Sequence, residues 1–227
     1  KKHVSSVEKI FSLNKDILTW KIIVEAMRNY SIKTILDYFI EKEIKVNMKD
    51  DYLMGMDLND DDIVINGGAF FGSDTIDFAK AVRNGGTVYA FDPLAKMDNQ
   101  FSDCELNNIK VIPQALWENR TNLYFTNSSS RTTVKTDKSK GHTKIKAISI
   151  DEFIIENKIN NFDFLKLDVE GAELQVLKGG KESIKKFRPK LAISIYHKLE
   201  HYFEIPMYLN KMLSNYSYHL SLNNPYT

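Results

Sequence analysis

The spacing of apolar residues changes character near residue 60 and divides the chain into two textures. Before it, Ile17, Leu18, Ile22, Val24 and Met27, then Ile32, Ile35, Leu36, Phe39 and Ile40, recur at helical intervals. They predict two amphipathic helices, the second capped by Ser31. No glycine precedes Gly55. Residues 1–58 are therefore expected to form a small N-terminal helical segment that carries no chemistry and serves as a lid, a dimerisation element or cover for a sheet face.

From Asp60 onward short apolar runs alternate with helical patterns. Strands are expected at Ile63–Ile65, Thr87–Phe91, Ile109–Ile112, Asn122–Thr126, Ile145–Ile148, Phe162–Leu167 and Leu191–Tyr196. Helices are expected at Ser73–Val82, weakly at Lys96–Asn107, at Ile150–Asn157, and from about Pro206 to Ser214. Leu174, Val176, Leu177, Ile184 and Phe187 mark another helix, interrupted by Gly179-Gly180. Asn127–Thr143, rich in Ser, Thr and Lys, reads as a surface loop. Strand alternating with helix argues for an α/β domain over residues 59–227, a parallel sheet with helices on both faces.

Composition narrows the picture. An apolar content of 43% in 227 residues suffices for one sizeable core. A formal net charge of +1 gives no general attraction to nucleic acid or membrane. The basic residues Lys181, Lys185, Lys186, Arg188 and Lys190 suit a solvated helix face and its C-terminal end. The single Cys104 excludes an internal disulfide and any multi-cysteine metal site. No apolar run approaches the ~20 residues that span a bilayer, and no signal peptide is visible, so the cytoplasm is the expected location. The chain begins at Lys-Lys-His without methionine and ends at Asn-Pro-Tyr-Thr, which reads as a trimmed chain.

Two places carry candidate chemistry. Asn66-Gly67-Gly68-Ala69-Phe70-Phe71-Gly72 joins the first expected strand to a helix. Glycines there allow a sharp turn and close approach of a ligand. The next strand ends in Phe91-Asp92-Pro93, with Asp92 twenty positions beyond Gly72, where a carboxylate can bind both hydroxyls of a nucleoside ribose. The pairing points to a nucleoside-containing cofactor more specifically than either part. The second place is Lys166-Leu167-Asp168-Val169-Glu170-Gly171-Ala172-Glu173, three carboxylates where a strand gives way to a helix. The helix dipole accounts for Glu170 and Glu173, by about 0.3–1 kcal/mol each. It accounts less well for Asp168, which is expected at the strand tip.

Gly67-x-Ala69-x-x-Gly72 also reads as a degraded dinucleotide fingerprint, which favours NAD. Against this, alanine replaces the glycine that admits a pyrophosphate, no second domain of dehydrogenase size is present, and the cluster at Asp168 has no hydride-transfer role.

Asn66-x-Gly68-Ala69-x-x-Gly72, Phe91-Asp92-Pro93 and Asp168-Val-Glu170-Gly171-Ala-Glu173 resemble the FkbM-type methyltransferases. Leu191-Ala-Ile-Ser-Ile-Tyr196-His197-Lys198, with Glu204-Ile-Pro206, is similar to a bacterial branch of that family. The likeness covers roughly residues 60–220. It implies a Rossmann-like class I methyltransferase fold that uses S-adenosylmethionine, usually to methylate a hydroxyl. By that likeness Asn66, Gly68, Ala69, Phe70, Gly72, Asp92, Pro93, Gln114, Ala115 and Asp168 bind the cofactor. Two departures stand out. The family usually has aspartate where this chain has Asn66, which predicts weaker cofactor binding. The class also closes its sheet with an antiparallel hairpin, of which Tyr218–Leu222 supplies one expected strand before the chain stops.

A hydroxyl acceptor must lose a proton, a service typically worth ~10²–10⁴-fold. Asp168 and His197, at or just past the ends of expected neighbouring strands, are the candidates; a histidine side chain titrates near pH ~6.5. Glu170 is expected to orient the substrate or a basic group, and Glu173 to cap the helix. Asp168, Glu170 and His197 could instead hold Mg²⁺, although nothing in the spacing demands a metal. Ser128, Ser129, Ser130 and Arg131 read as an acceptor contact, a lid or a plain linker. The leading expectation is an O-methyltransferase acting on a small molecule or glycan. The alternatives are a nicotinamide-dependent oxidoreductase and a non-catalytic nucleotide-binding or interaction module. A homodimer through the N-terminal helices is the expected protein partner; nucleic acid is not.

Overall fold

The computed structural model describes residues 2–42, 52–53, 56–69, 72–83, 85–94, 106–128, 131–135 and 143–222. Their contacts group them into two compact units, one within residues 52–195 and one formed by residues up to 51 with those from 196 onward.

The larger unit is built on a five-stranded parallel sheet. Its strands are β1 (Ile63–Gly67), β2 (Thr87–Phe91), β3 (Ile109–Ile112), β8 (Phe164–Leu167) and β9 (Lys190–Ile193), in the order β3-β2-β1-β8-β9. β1, β2 and β8 are buried almost throughout, as parallel strands covered on both faces must be. The register pairs Val64 with Val88 and Phe164, and Asn66 with Ala90 and Lys166. Period-two alternation puts these six side chains on one face. Helix α4 (Ser73–Ala81) covers it, Phe78 and Ala79 packing on Val64, Val88 and Phe164. On the opposite face, Phe153 of α5 (Ile150–Glu156) meets Tyr89 and Phe91 edge-on, with ring centroids 5.1 and 4.8 Å apart. Ser149 and Glu152 close a capping box at the start of α5. Helices α6 (Glu173–Gly179) and α7 (Lys181–Phe187) follow β8, separated at the glycine pair as the sequence predicts.

A second, four-stranded sheet in this unit comprises β4 (Ala115–Leu116), β5 (Thr121–Ser128), β6 (Arg131–Lys135) and β7 (Thr143–Ile148), in the order β4-β7-β5-β6. β5 pairs antiparallel with both β6 and β7. The expectation of a surface loop over Asn127–Thr143 is thus corrected: Asn127, Ser128 and Arg131–Lys135 are strand. Their polar composition hid them, because pairing partners decide strand formation more than intrinsic propensity does.

The smaller unit is helical, with α1 (Lys2–Glu8), α2 (Asn14–Asn29), α3 (Lys33–Glu41) and α8 (His201–Met212). Its core is aromatic. Trp20, fully buried, lies 6.2 Å from Phe11 and 5.3 Å from Phe203 between ring centroids, and Val7, Val24, Tyr202, Met207, Tyr218 and Leu220 complete the cluster. The buried stripe of α2 runs through Asp16, Thr19, Trp20, Ile23 and Val24, whereas Leu18 is exposed. Ser31 does not cap α3. Its N–H instead bonds to Ala26 O and helps close α2, where Tyr30 adopts the left-handed conformation. α8 begins five residues before Pro206, which sits inside it.

Tyr218–Leu222 forms no strand. The alternation that suggested one is real, since Tyr218 and Leu220 turn into the helical core and His219 turns out to meet the buried carboxylate of Asp16 at 3.1 Å. The weak helix expected at 96–107 lies, except for its last residues, outside the described residues.

Candidate functional site

The five-stranded sheet reverses its order between β1 and β8, and the carboxyl ends of strands at such a reversal are where α/β sheets bind ligands. There the register aligns Ile112, Phe91, Gly67, Leu167 and Ile193 in one row. The ladder continues one residue further. Asp92 N–H donates to Ile112 O (3.2 Å), Gly68 N–H to Phe91 O (3.0 Å), Asp168 N–H to Gly67 O (3.1 Å) and Ser194 N–H to Leu167 O (2.8 Å). Three residues singled out from the sequence therefore become neighbours. Asp92 and Asp168 flank Gly68, one strand spacing of about 4.8 Å to either side.

Glycine at 68 is obligatory. Its φ is +77°, and a Cβ there would lie 1.8 Å from Asp168 O. The turn uses its own donors internally, because Ala69 N–H also bonds to Phe91 O (3.1 Å) and Gly72 N–H to Ala69 O (2.7 Å). Gly72, with φ +80°, is the N-cap residue of α4. Asn66 is fully buried beneath the turn; its Nδ2 donates to Thr75 Oγ1 of α4 at 2.9 Å, and its Oδ1 meets no donor.

The acidic motif divides by burial. Asp168 is half-buried and accepts the Tyr52 hydroxyl at 2.8 Å. Glu170 is exposed in a left-handed turn, with φ +55°. Glu173 is fully buried, and its Oε1 accepts the N–H groups of Val169 (3.0 Å) and Gly171 (3.2 Å). It folds back on the loop before α6 and fixes the path of the chain between Asp168 and the helix; the N-cap residue, Ala172, contributes no side-chain bond.

The remaining expected residues are more scattered. Asp92 is half-buried, and its Oδ1 accepts Leu94 N–H at 2.8 Å, which shapes the turn through Pro93. Gln114 is half-buried past β3. Ala115 opens β4 and packs with Leu123, Ile145 and Ala147 in the second sheet. Phe70, Ser129 and Ser130 lie outside the described residues. His197 belongs to the helical unit, where its ring stacks on Tyr196 at 4.3 Å between centroids.

Sequence reasoning passed over Lys166, Tyr52 and Asp74. Lys166 is buried; its Nζ donates to Gly68 O at 3.0 Å, lies 3.5 Å from Asp74 Oδ2 and sits 4.8 Å from the centroid of the Tyr52 ring. The signal was available, since a lysine in an otherwise apolar buried strand must find partners for its charge. Tyr52 had no such signal, because its bond to Asp168 spans 116 residues of sequence.

A parallel sheet with helices on both faces and a glycine turn at its reversal point defines a Rossmann-like, methyltransferase-type fold. Residues 66–220 match the model of the methyltransferase FkbM domain, and the chain belongs to that family. It is also similar to the crystal structure of methyltransferase FkbM from Methylobacillus flagellatus KT, with a TM-score of 0.72 and 18% identity. That alignment covers 99% of this chain and 56% of the other, so this chain spans little more than half the length of its structural relative. No curated protein matches it. Among the described residues, no helix is long and apolar enough to cross a membrane.

Proposed function

We propose that the protein transfers a methyl group from S-adenosylmethionine to a hydroxyl of a small molecule or glycan. The observation that carries this reading is the row Asp92–Gly68–Asp168 at the sheet's reversal point, in a chain of the FkbM family. S-adenosylmethionine, when bound, supplies an electrophilic methyl group on a sulfonium. In this reading Gly68, Ala69, Gly72 and Asp92 hold the nucleoside part, with Asp92 taking the ribose hydroxyls. Asp168 would accept the proton that leaves the acceptor oxygen as that oxygen bonds the methyl carbon and the carbon–sulfur bond breaks, leaving the neutral thioether S-adenosylhomocysteine. Alignment of acceptor and donor is the larger contribution, of order 7–11 kcal/mol. Glu170, exposed beside Asp168 in sequence, is proposed to orient the acceptor.

Residues present at the turn suit this donor better than a dinucleotide. Among the described residues of the turn, the N–H groups of Gly68, Ala69 and Gly72 are engaged within the protein, which favours a ligand without a pyrophosphate. Asn66 supplies an amide where the family usually has a carboxylate, and its idle Oδ1 can still accept a hydrogen bond. His197 is a second candidate base, a role proposed on sequence alone. Mg²⁺ is an optional partner, tested by activity after chelation. A second copy of the chain, proposed to pair through the N-terminal helices, is tested by sedimentation.

Calorimetric titration with S-adenosylmethionine, S-adenosylhomocysteine and NAD tests the reading. Micromolar binding of both sulfur compounds without NAD is expected, and Asp92→Ala should weaken it by more than about tenfold. Binding of NAD alone would overturn it.

A further inference from the structure

Lys166 is a buried cation in a sheet strand, and nothing in methyl transfer calls for it there. Register places it directly opposite Asn66, on the face covered by α4. A buried ammonium needs an anion, and the nearest backbone position on the neighbouring strand offers only an amide. The anion comes from the helix instead. Asp74, in the first turn of α4, brings Oδ2 to 3.5 Å, while the adjacent Thr75 receives the Asn66 amide at 2.9 Å. The same Nζ donates to Gly68 O, the carbonyl at the apex of the turn, and lies against the ring of Tyr52, whose hydroxyl bonds Asp168. One ammonium thus touches the turn, the start of α4 and the tyrosine that orients the motif carboxylate.

We propose that Lys166 is a positioning residue for the cofactor turn, and that Asp74 supplies the counter-charge that residue 66 does not. Lys166 draws the turn's carbonyl inward, which keeps Gly68 and Ala69 N–H on Phe91 O and their outer faces toward the ligand. A carboxylate at residue 66 would accept from Thr75 with one oxygen and leave the second to the ammonium across the register, so the two positions are interchangeable sources of one negative charge. Asn66, an amide, thus leaves the balancing of Lys166 to Asp74. The part of this inference that concerns cofactor affinity rests on the methyl-donor reading; the part that concerns charge balance does not.

The test compares Lys166→Met, Asp74→Asn and the double variant Asn66→Asp/Asp74→Asn by amide exchange and by S-adenosylhomocysteine titration. Lys166→Met should speed exchange at Gly68 and Ala69 by about tenfold or more while Leu123 and Ile145 in the second sheet stay protected. It should also weaken binding by about tenfold. Asp74→Asn should shift both readouts in the same direction, and adding Asn66→Asp should restore them. Unchanged exchange in Lys166→Met would overturn the proposal, as would a double variant no better than Asp74→Asn alone. Should Lys166→Met fail to fold, the Asp74→Asn pair decides, since it alters charge without volume. If the parent protein binds no sulfur cofactor, the methyltransferase reading falls and exchange alone still judges the charge balance.

Discussion

The two compact units hold their interiors together by different means. In the sheet unit, polar side chains are fully buried next to the candidate site, and they tie its turn and its acidic loop to their neighbours. Asn66 reaches Thr75, Lys166 reaches Gly68 O and Asp74, and Glu173 gathers the loop behind Asp168. In the helical unit the interior is a ring cluster around Trp20, and its buried carboxylate, Asp16, is met by a histidine from the opposite end of the chain. Apolar packing has no direction and tolerates small shifts, whereas a buried charge is expensive unless its partners are in place. A site that must hold a turn in one conformation therefore has reason to use the second kind of interior.

That contrast can be broken from either side. The largest effect is expected from Trp20→Ala, which should cost about 3–5 kcal/mol in urea denaturation. Amide protection in β1 and β8 should survive it; simultaneous loss would show that the two units unfold together. Gly68→Ala comes next. A positive φ alone costs a non-glycine residue about 1–3 kcal/mol, and the collision with Asp168 O adds to it. Here the expected signature is loss of cofactor binding in a protein whose aromatic near-ultraviolet spectrum is retained. Ser149→Ala should cost about 1 kcal/mol by removing the cap of α5, and a smaller loss would mean that packing of Phe153 alone holds the helix.

The smallest effects are those of pH, and they fall at opposite ends of the scale. In the sheet unit, the Ser149 hydroxyl, hydrogen-bonded to Glu152, holds that carboxyl below its usual range, against a smaller opposing effect of burial. A depressed carboxylate contributes stability above its unfolded pKa of about 4.3 and loses it as pH falls through the folded value. In the helical unit, burial pushes the phenols of Tyr202 and Tyr218 up, the latter helped by Tyr216. A raised phenol contributes below its unfolded pKa of about 10 and loses that contribution as pH rises through the folded value. Stability followed by tryptophan fluorescence around Trp20 should accordingly fall above pH ~10, and Tyr202→Phe should blunt that fall. Acid sensitivity that persists in full in Ser149→Ala would remove Glu152 from the account.

Strands with short apolar runs were the easiest part to read. Thr87–Phe91 and Ile109–Ile112 have the bounds that their apolar runs predict, because such a run between turn residues has few other folded solutions. Polar strands were not legible. Arg131–Lys135 has no apolar alternation, and it is a strand because β5 supplies hydrogen-bond partners. The start of α8 was misplaced because proline usually marks a first turn, yet Pro206 sits within the helix. At the site, Asp168 and the glycine turn were visible as local patterns, while Tyr52 and Asp74 were invisible, since their partners Asp168 and Lys166 are distant in sequence.

What the sequence determined by itself was local and periodic: the alternation of strand and helix, the glycine turn, the carboxylate at the end of β2 and the acidic motif, together with membership of a family that carries them. Each depends on neighbours within a few positions, and the chain enforces those neighbours whatever the rest of the protein does. What tertiary structure decided was pairing at long range. It set the register that puts Asp92, Gly68 and Asp168 side by side, the second sheet, the aromatic cluster that joins Tyr218 and Leu220 to Trp20, and the approach of Asp74 to Lys166. The physical reason is that a buried charge or an unpaired strand edge is satisfied by whichever partner the fold brings near, and distance along the chain says little about which partner that will be.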